Sequence, residues 1–325
     1  MFQLADAWTW DFWLADTGVE YHLFFLRASR ALRDPERRHL RANVGHAVSA
    51  DLREWRLLPD ALVPSDSPAW DDLATWTGSV IAGPGGVWYM FYTGLSRGDG
   101  GHVQRIGVAT STDLITWIPV PQPCVEADPR WYETLDGSID GYVTWRDPWV
   151  FPDPEGSGWH MLITARAADA PAGDRGVVGY AWSRNLIDWD VRPPLSVGGS
   201  GFNQLEVLQV ATVDGRAVLL FSCASVDLAP PLRSPSDPGG VWAVPCDALT
   251  GHYDITRATL LVDTRFYAGR LVQDRSGHWQ LLAFHNVEAD GSFVGGLSDP
   301  MPVRWAPAGG LELVPASPQA LQQDG

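Results

Sequence analysis

Two motifs that each recur five times, together with a lack of helical periodicity, predict an all-β fold built as a five-bladed β-propeller. No stretch of a dozen or more residues has a convincing helical period. Short alternating strands separated by turns rich in Asp and Gly fill the chain instead. Five sheets of about four strands around one axis would bury each repeat against two neighbours. A pair of β-sandwiches is the alternative fold, but it would not produce five repeats.

The first repeat is a Ser-x-Asp/Asn-Leu-x-x-Trp motif that follows a short apolar strand. Three clear copies begin at Ser49, Ser111 and Ser183. Degenerate copies follow at residues 241–249 and 295–305. Ser, Asp and Asn side chains near a strand end accept hydrogen bonds from nearby backbone N–H groups. Each copy therefore predicts a strand that runs into a capped turn.

The second repeat is a turn rich in Asp and Gly that precedes an alternating aromatic and aliphatic strand, which is a hairpin signal. The turns lie at residues 16–18, 83–86, 153–158, 214–215 and 274–277. The strand before each turn is expected to line the propeller axis, and these strands are predicted at residues 8–13, 76–81, 145–151, 204–210 and 265–272. We predict a single propeller domain over residues 1–325, with a short C-terminal tail from about residue 309.

Composition limits the kinds of ligand. The formal net charge of −16, with no lysine in the chain, argues against nucleic acid and anionic membranes and favours a neutral or cationic ligand. Seventeen tryptophans favour carbohydrate, because indole rings stack on the apolar faces of sugars, although most of them are expected only to pack blades together. The sequence predicts no membrane span and no signal peptide, so we expect a cytoplasmic location. The three cysteines lack metal-site spacing, and we predict neither a metal nor a cofactor.

Polar side chains occupy every predicted axis-lining strand, although a strand that only fills a hub should be apolar. They are Asp11, Thr77, Arg146, Asp147, Glu206 and Tyr267. Three carboxylates at one hub are typical of glycoside hydrolysis, in which one attacks or activates water and another protonates the leaving oxygen. An arginine beside an aspartate on a rigid strand is also suited to gripping neighbouring sugar hydroxyls. The alternative for these residues is an internal ion pair or a strand-end cap.

Four blocks of the sequence resemble the signature blocks of the fructan-active glycoside hydrolases of families 32 and 68, the invertases, inulinases, levanases and related levansucrases. In chain order the blocks are Trp10-Asp11-Phe12-Trp13, Trp76-Thr77-Gly78-Ser79, Trp145-Arg146-Asp147-Pro148 and Gln204-Leu205-Glu206. The Trp-Arg-Asp-Pro block is the most specific of them. The resemblance implies a five-bladed propeller that cleaves or transfers β-linked fructofuranosyl units with retention of configuration.

The resemblance also implies a role for each matched polar residue. Asp11 matches the nucleophile, and Glu206 matches the general acid/base. Asp147 matches the stabiliser of the transition state that holds sugar hydroxyls, with Arg146 as its partner. Thr77 stands where a serine hydroxyl usually orients the nucleophile. Catalysis is thus expected to depend on three carboxylates from three blades.

The chain also departs from the hydrolase branch. Trp10 precedes Asp11 where the hydrolases usually have Asn, which is closer to the transferase branch, and Leu26 stands where they often place a glutamine that touches the fructosyl unit. The chain is expected to lack the C-terminal β-sandwich common in the hydrolase branch. The residues expected to bind the sugar are Trp10, Trp76, Thr77, Arg146 and Tyr267.

The sequence therefore predicts a retaining glycoside hydrolase that cleaves or transfers β-linked fructofuranosyl units from sucrose, fructo-oligosaccharides or fructans. One alternative is an arabinan- or xylan-active furanosidase of the related propeller families, which share the two-Asp, one-Glu hub but usually lack the Arg-Asp-Pro block. The other is a carbohydrate-binding propeller without catalysis, which is disfavoured because all three carboxylates are present. The only partner predicted is a small-molecule or oligosaccharide substrate.

Overall fold

The computed structural model describes residues 1–234 and 236–315, which form five four-stranded antiparallel sheets. In each sheet the strands follow chain order from one edge to the other. The first strand of each sheet contacts the first strand of the next, and the fifth contacts the first, so the sheets close into a ring. The predicted all-β, five-bladed propeller is confirmed.

The strands are grouped blade by blade. Blade 1 contains β1 (Ala7–Asp16), β2 (Tyr21–Ser29), β3 (Asn43–Ser49) and β4 (Arg56–Leu62). Blade 2 contains β5 (Ala74–Ala82), β6 (Trp88–Leu95), β7 (Gln104–Ser111) and β8 (Ile118–Pro119). Blade 3 contains β9 (Trp145–Pro152), β10 (Trp159–Arg166), β11 (Gly176–Ser183) and β12 (Trp189–Arg192). Blade 4 contains β13 (Glu206–Val213), β14 (Arg216–Cys223), β15 (Gly240–Cys246) and β16 (Thr259–Asp263). Blade 5 contains β17 (Phe266–Gln273), β18 (Trp279–His285), β19 (Met301–Trp305) and β20 (Leu311–Leu313).

Short 3₁₀ segments account for the helical structure of the described residues. They are Arg30–Leu32, Pro35–Arg41, Pro84–Gly86, Arg97–Asp99, Leu135–Gly137, Ser225–Asp227 and Ile255–Arg257. None of these described helices is long and apolar enough to cross a membrane.

The five segments predicted to line the axis overlap β1, β5, β9, β13 and β17, and each predicted hairpin turn lies between the first two strands of a blade. The predicted tail needs a correction, because Leu311–Leu313 forms β20 and pairs with β19. This pairing supplies the fourth strand of blade 5 and buries Leu311, so the blade extends beyond residue 309. Residues 316–325 of the predicted tail lie outside the described residues.

The Ser-x-Asp/Asn-Leu motif forms the capped turn that its sequence predicts. In blade 1, Ser49 Oγ accepts a hydrogen bond from the Leu52 N–H (2.9 Å), and Asp51 accepts hydrogen bonds from the next two backbone N–H groups after Leu52. Leu52 is buried with a φ of 66°, and these caps hold it in that uncommon left-handed conformation. The copies that begin at Ser111 and Ser183 make the same bonds.

Large aromatic side chains fill the space between neighbouring blades. Trp13 and Trp145 are fully buried. Trp13 belongs to an apolar cluster that includes Met90 of blade 2, and Trp145 belongs to a second cluster that includes Phe91, also of blade 2. These two tryptophans therefore pack blades together, as the sequence predicts for many of them. Such packing gives the innermost strands a rigid frame.

Candidate active site

One cavity of about 630 Å³ receives side chains from all five innermost strands. It is lined by every one of the predicted site residues, Trp10, Asp11, Trp76, Thr77, Arg146, Asp147, Glu206 and Tyr267. A wider groove of about 1040 Å³ lies against blade 2 near Trp70 and Asp71, but it contains none of the predicted residues. Because the smaller cavity holds the three carboxylates in a volume ordinary for a small-molecule site, we assign the candidate active site to it.

Every innermost strand carries a β-bulge at its site residue. The shifts in pairing register fall between Trp10 and Phe12 in β1 and between Trp76 and Gly78 in β5. In β9, β13 and β17 they follow Arg146, Glu206 and Tyr267. Neighbouring residues of a regular strand point to opposite faces, yet both Trp10 and Asp11 line the cavity. The bulges thus turn two adjacent side chains of one strand toward the same site.

Three of these bulges share a backbone device. The first residue of each of these three bulges has a positive φ, which is 55° at Asp147, 54° at Val207 and 50° at Ala268. Its N–H donates to a hydroxyl on the second strand of the preceding blade. The Asp147 N–H donates to the Thr93 hydroxyl (3.0 Å) and the Ala268 N–H to the Ser222 hydroxyl (2.9 Å). The Val207 N–H donates to the Thr164 hydroxyl (3.2 Å). A hydrogen bond to each strained N–H offsets part of the cost of the bulge.

The other two blades have no hydroxyl at the equivalent position. Leu26 pairs with Trp10 in blade 1, and Phe284 pairs with Tyr267 in blade 5. Both apolar side chains line the cavity. Leu26, which the resemblance places where the hydrolase branch often has a glutamine, and Phe284 belong to the same apolar cluster.

Each of the three carboxylates has its own hydrogen-bond partners. The Thr77 hydroxyl donates to Asp11 Oδ2 (2.5 Å). Glu206 accepts from Arg146 Nη2 (2.5 Å) and from the Tyr267 hydroxyl. The sequence predicts Arg146 as the partner of its neighbour in the Arg-Asp-Pro block, but the structure also pairs it with a carboxylate 60 residues away.

Asp147 is the most enclosed of the three acids, with only 2% of its surface exposed. The Thr164 hydroxyl lies 2.9 Å from Asp147 Oδ2. The Val207 N–H lies 3.3 Å from the same oxygen, and Arg146 Nε lies 3.4 Å from it. Asp147 is therefore fixed by a hydroxyl, a backbone amide and a guanidinium.

Burial, together with nearby charges, shifts the pKa values of Asp11, Asp147 and Arg146. Burial raises the pKa of Asp11 above its ordinary value, against the opposing effect of the Thr77 hydrogen bond. Burial also raises the pKa of Asp147, to about 7, because the nearby charges of Asp11 and Glu206 add to it and the Arg146 guanidinium only partly opposes it. Burial alone would lower the pKa of Arg146, but Glu206 and Asp147 raise it above its ordinary value. Arg146 is therefore charged, whereas burial favours the neutral forms of Asp11 and Asp147.

The rim of the cavity contains residues that the sequence motifs do not indicate. The segment Pro35–Arg41 contributes Glu36, Arg38 and His39, and the connection before β9 contributes Tyr142. The Trp76 indole N–H donates to the His39 carbonyl (2.7 Å), which ties this segment to blade 2. One signal for the segment exists in the sequence, since residues 30–41 form a long, charge-rich connection between two apolar strands.

The described residues hold no group of three or more His, Cys, Asp or Glu side chains placed to bind a metal ion. The cavity presents carboxylates and their hydrogen-bond donors. Asp11, oriented by a hydroxyl, and Glu206, contacted by an arginine and a tyrosine, come from different blades and line one cavity. Glycoside cleavage requires two carboxyl groups beside one bond.

Residues 14–291 match the family model of the glycosyl hydrolases family 32 N-terminal domain. The chain belongs to glycosyl hydrolase family 32. The matched part of this family 32 chain includes Asp147 and Glu206 and begins three residues after Asp11. The resemblance read from the four sequence blocks is confirmed.

Parts of this family 32 chain are similar in sequence to curated proteins. The insoluble β-fructofuranosidase isoenzyme CWINV6 of Arabidopsis thaliana is 28% identical over 182 residues, which are 53% of this chain and 29% of that protein. A levanase of Bacillus sp. (strain L7) is 30% identical over 169 residues, 47% of this chain and 16% of that protein. The chain spans less than a third of the length of these two relatives. The solved structure of inulosucrase from Halalkalicoccus jeotgali bound to kestose has a TM-score of 0.76 at 22% identity, covering 95% of this chain and 87% of that one, and it shares the fold.

The Thr164 hydroxyl gives a direct test of how the site is held. Thr164→Val leaves the Val207 N–H and one oxygen of Asp147 without this partner, so we expect a loss of about 1–3 kcal/mol in unfolding free energy and a lower kcat. Thr164→Ser retains the hydroxyl and is expected to keep the unfolding free energy and kcat near the wild-type values. Ser222→Ala is the matched control, because Ser222 supports the Ala268 bulge in blade 5 rather than Asp147. Urea unfolding and steady-state kinetics measure the effects; equal kcat in the Val and Ser variants would contradict this role.

Proposed function

We propose that the chain is a retaining β-fructofuranosidase that cleaves or transfers β-linked fructofuranosyl units from sucrose, fructo-oligosaccharides or fructans. The observation that carries the proposal is the single cavity that Asp11, Asp147 and Glu206 line together with Trp10 and Trp76. Membership of family 32 favours fructosides over the arabinan- and xylan-active alternative. The dedicated hydrogen-bond partners of the three acids favour catalysis over sugar binding alone.

In the first step, one oxygen of Asp11 attacks the anomeric carbon of the fructosyl unit while Glu206 gives its proton to the glycosidic oxygen. The bond to the leaving sugar breaks as an ester bond to Asp11 forms. Thr77 donates to Oδ2 of Asp11, which fixes the carboxylate and leaves Oδ1 to attack. In the second step Glu206 takes a proton from water, and the water breaks the ester. A sugar hydroxyl in place of that water gives transfer.

Asp147 and Arg146 stabilise the charge that develops between these steps. The fructosyl ring passes through a flattened, positively charged state, and a carboxylate held rigidly beside it stabilises that state more than the substrate. The guanidinium of Arg146 contacts both Asp147 (3.4 Å) and Glu206 (2.5 Å). It therefore keeps the stabiliser and the acid/base at a fixed separation.

The charge of the cavity limits the class of sugar. Five carboxylates line it, and two guanidinium groups oppose them: Asp11, Glu36, Asp147, Glu206 and Asp227 against Arg38 and Arg146. An anionic group on the substrate would enter a field of its own sign. The proposed substrates are therefore neutral fructosides rather than phosphorylated sugars.

A panel of substrates tests this function. We expect free fructose from at least one of sucrose, kestose, inulin and levan, and release from sucrose 6-phosphate at least about tenfold slower, the effect of a repulsion of about 1.4 kcal/mol. Proton NMR during turnover should show the β-anomer of fructose appearing first, as retention requires. Release of arabinose from aryl arabinofuranosides without any release of fructose would overturn the proposal. The cytoplasmic location stays a prediction that cell fractionation tests.

A further inference from the structure

Arg270 is a buried cation beside the candidate site to which the proposed mechanism gives no role. It lies on β17, three residues after Tyr267, and only 2% of its surface is exposed. Its guanidinium lies 5.0 Å from the centre of the Trp149 ring. A charged side chain this deep in a hub is costly unless its interactions offset the loss of water.

The hydrogen bonds of Arg270 go to backbone carbonyls of two other blades. Nε donates to the Phe12 carbonyl of blade 1 (3.3 Å). Nη1 donates to the Val207 (3.3 Å) and Leu208 (2.6 Å) carbonyls of blade 4. Phe12 directly follows Asp11, and Val207 directly follows Glu206. One rigid guanidinium on blade 5 therefore connects the backbone next to the proposed nucleophile with the backbone next to the proposed acid/base.

Among the described residues, these hydrogen bonds leave one nitrogen of the Arg270 guanidinium without a partner. Its Nη2 is buried and has no hydrogen-bond partner among residues 1–234 and 236–315. Burial lowers the pKa of Arg270 to about 10, and the charges of Asp147 and Asp11 oppose this fall. The same positive charge opposes the rise in the pKa of Asp11. The interaction is mutual, because each charge favours the ionised form of the other.

We propose that Arg270 is a positioning residue that sets the separation of Asp11 and Glu206 through the bulged backbone of blades 1 and 4. Its positive charge also favours the ionised form of Asp11. This inference rests on the proposed function, since it assigns the two carboxylates their roles. It also explains why an arginine, with several donors in one plane, occupies the position: a single guanidinium reaches carbonyls of two different strands.

Two variants test the two parts of the proposal. Arg270→Met removes both the donors and the charge, so we expect kcat/KM to fall roughly 10- to 100-fold, as for a lost charged hydrogen bond. The acidic limb of the pH profile of kcat/KM should move to higher pH, because removal of the positive charge raises the pKa values of the two carboxylates that interact with it, Asp147 and Asp11. Arg270→Lys keeps the charge but loses the planar donors; its acidic limb should stay at the wild-type pH while kcat/KM remains at least fivefold reduced.

The charges that act on Arg270 are those of Asp147 on β9 and Asp11 on β1. The cavity is also lined by the titratable groups of Arg38 on the Pro35–Arg41 segment, Arg146 on β9, Glu206 on β13 and Tyr267 on β17. A double-mutant cycle isolates the Asp11 part. The unfolding free energies of wild type, Arg270→Met, Asp11→Asn and the double variant should show favourable coupling at pH 8 that falls toward zero at pH 3, where the carboxylate is protonated.

The outcomes separate this inference from the proposed function. If the wild type releases no fructose, the proposed function fails, while the cycle still tests the interaction between Arg270 and Asp11. If the wild type is active, two results overturn the effect of the Arg270 charge on Asp11. One is an acidic limb of Arg270→Met at the same pH as that of the wild type, and the other is zero coupling in the cycle. Wild-type kcat/KM in Arg270→Lys overturns the positioning role. If Arg270→Met does not fold, the neutral variant Arg270→Gln takes its place in the pH profile and in the cycle with Asp11→Asn.

Discussion

Asp11→Ala and Glu206→Gln are each expected to abolish fructose release, with kcat/KM at least about 10⁴-fold below wild type. The estimate is at the upper limit for general acid–base catalysis, and the loss of the covalent step adds to it. Asp11→Ala removes the atom that bonds to the anomeric carbon, and Glu206→Gln removes the proton donor. Steady-state rates on the best fructoside of the panel measure both losses.

Two further measurements distinguish the roles. An aryl fructoside with a good leaving group needs no proton donor, so it should recover the first step in Glu206→Gln but not in Asp11→Ala. Asp214→Asn is the control, because Asp214 lies in the exposed hairpin between β13 and β14 and Asn-Gly suits that turn equally well. The midpoint temperature of thermal unfolding of Asp11→Ala should stay near the wild-type value or rise slightly, since a crowded acid lowers stability. Wild-type activity in either site variant would remove that residue from catalysis.

The propeller is predictable from the sequence because its repeat is carried by turn chemistry. Ser49 and Asp51 cap the turn after a third strand, and the same residue types recur at the same place in later blades. The site residues are predictable for a related reason. Asp11 and Glu206 interrupt strands that are otherwise apolar, and the burial of such groups has a cost that only a paired or functional arrangement offsets.

The shape of the site is not predictable in the same way. Bulges at Asp147, Val207 and Ala268 occur at residues other than glycine, so no residue type indicates their positive φ. The hydroxyls that support them, such as Thr164, come from a neighbouring blade, and only the register of two strands brings them into contact. The pairing of Arg146 with Glu206 likewise depends on how two bulges aim side chains across the hub.

Asp147→Asn is expected to lower kcat about 10²- to 10³-fold while KM changes little, as for the loss of one group that acts on the transition state. Asparagine keeps the shape of the side chain and its contacts with Thr164 and the Val207 N–H, but it carries no negative charge. Substrate binding should therefore survive, whereas stabilisation of the positively charged ring is lost. A higher KM at unchanged kcat would show that Asp147 binds only the ground state.

The same variant should change how stability depends on pH. Burial raises the pKa of Asp147 from its ordinary 3.8 to about 7 in the folded chain. Between these two values the folded state binds more protons than the unfolded state, so the contribution of Asp147 to the free energy of unfolding is complete below about pH 4 and is lost as the pH rises to about 7. Asparagine does not titrate, and this loss is absent from the variant.

The stability of Asp147→Asn relative to wild type is therefore expected to improve steadily between about pH 4 and pH 7 and to stay constant above that range. Urea unfolding at half-unit pH steps measures the difference, and Asp214→Asn gives the baseline for an exposed acid. The sign of this change with pH shows whether the folded chain favours the neutral or the ionised form of Asp147. A difference that favoured the wild type more as the pH rose would mean that the Arg146 guanidinium outweighs burial and holds Asp147 ionised, and a flat difference would mean that the two effects cancel.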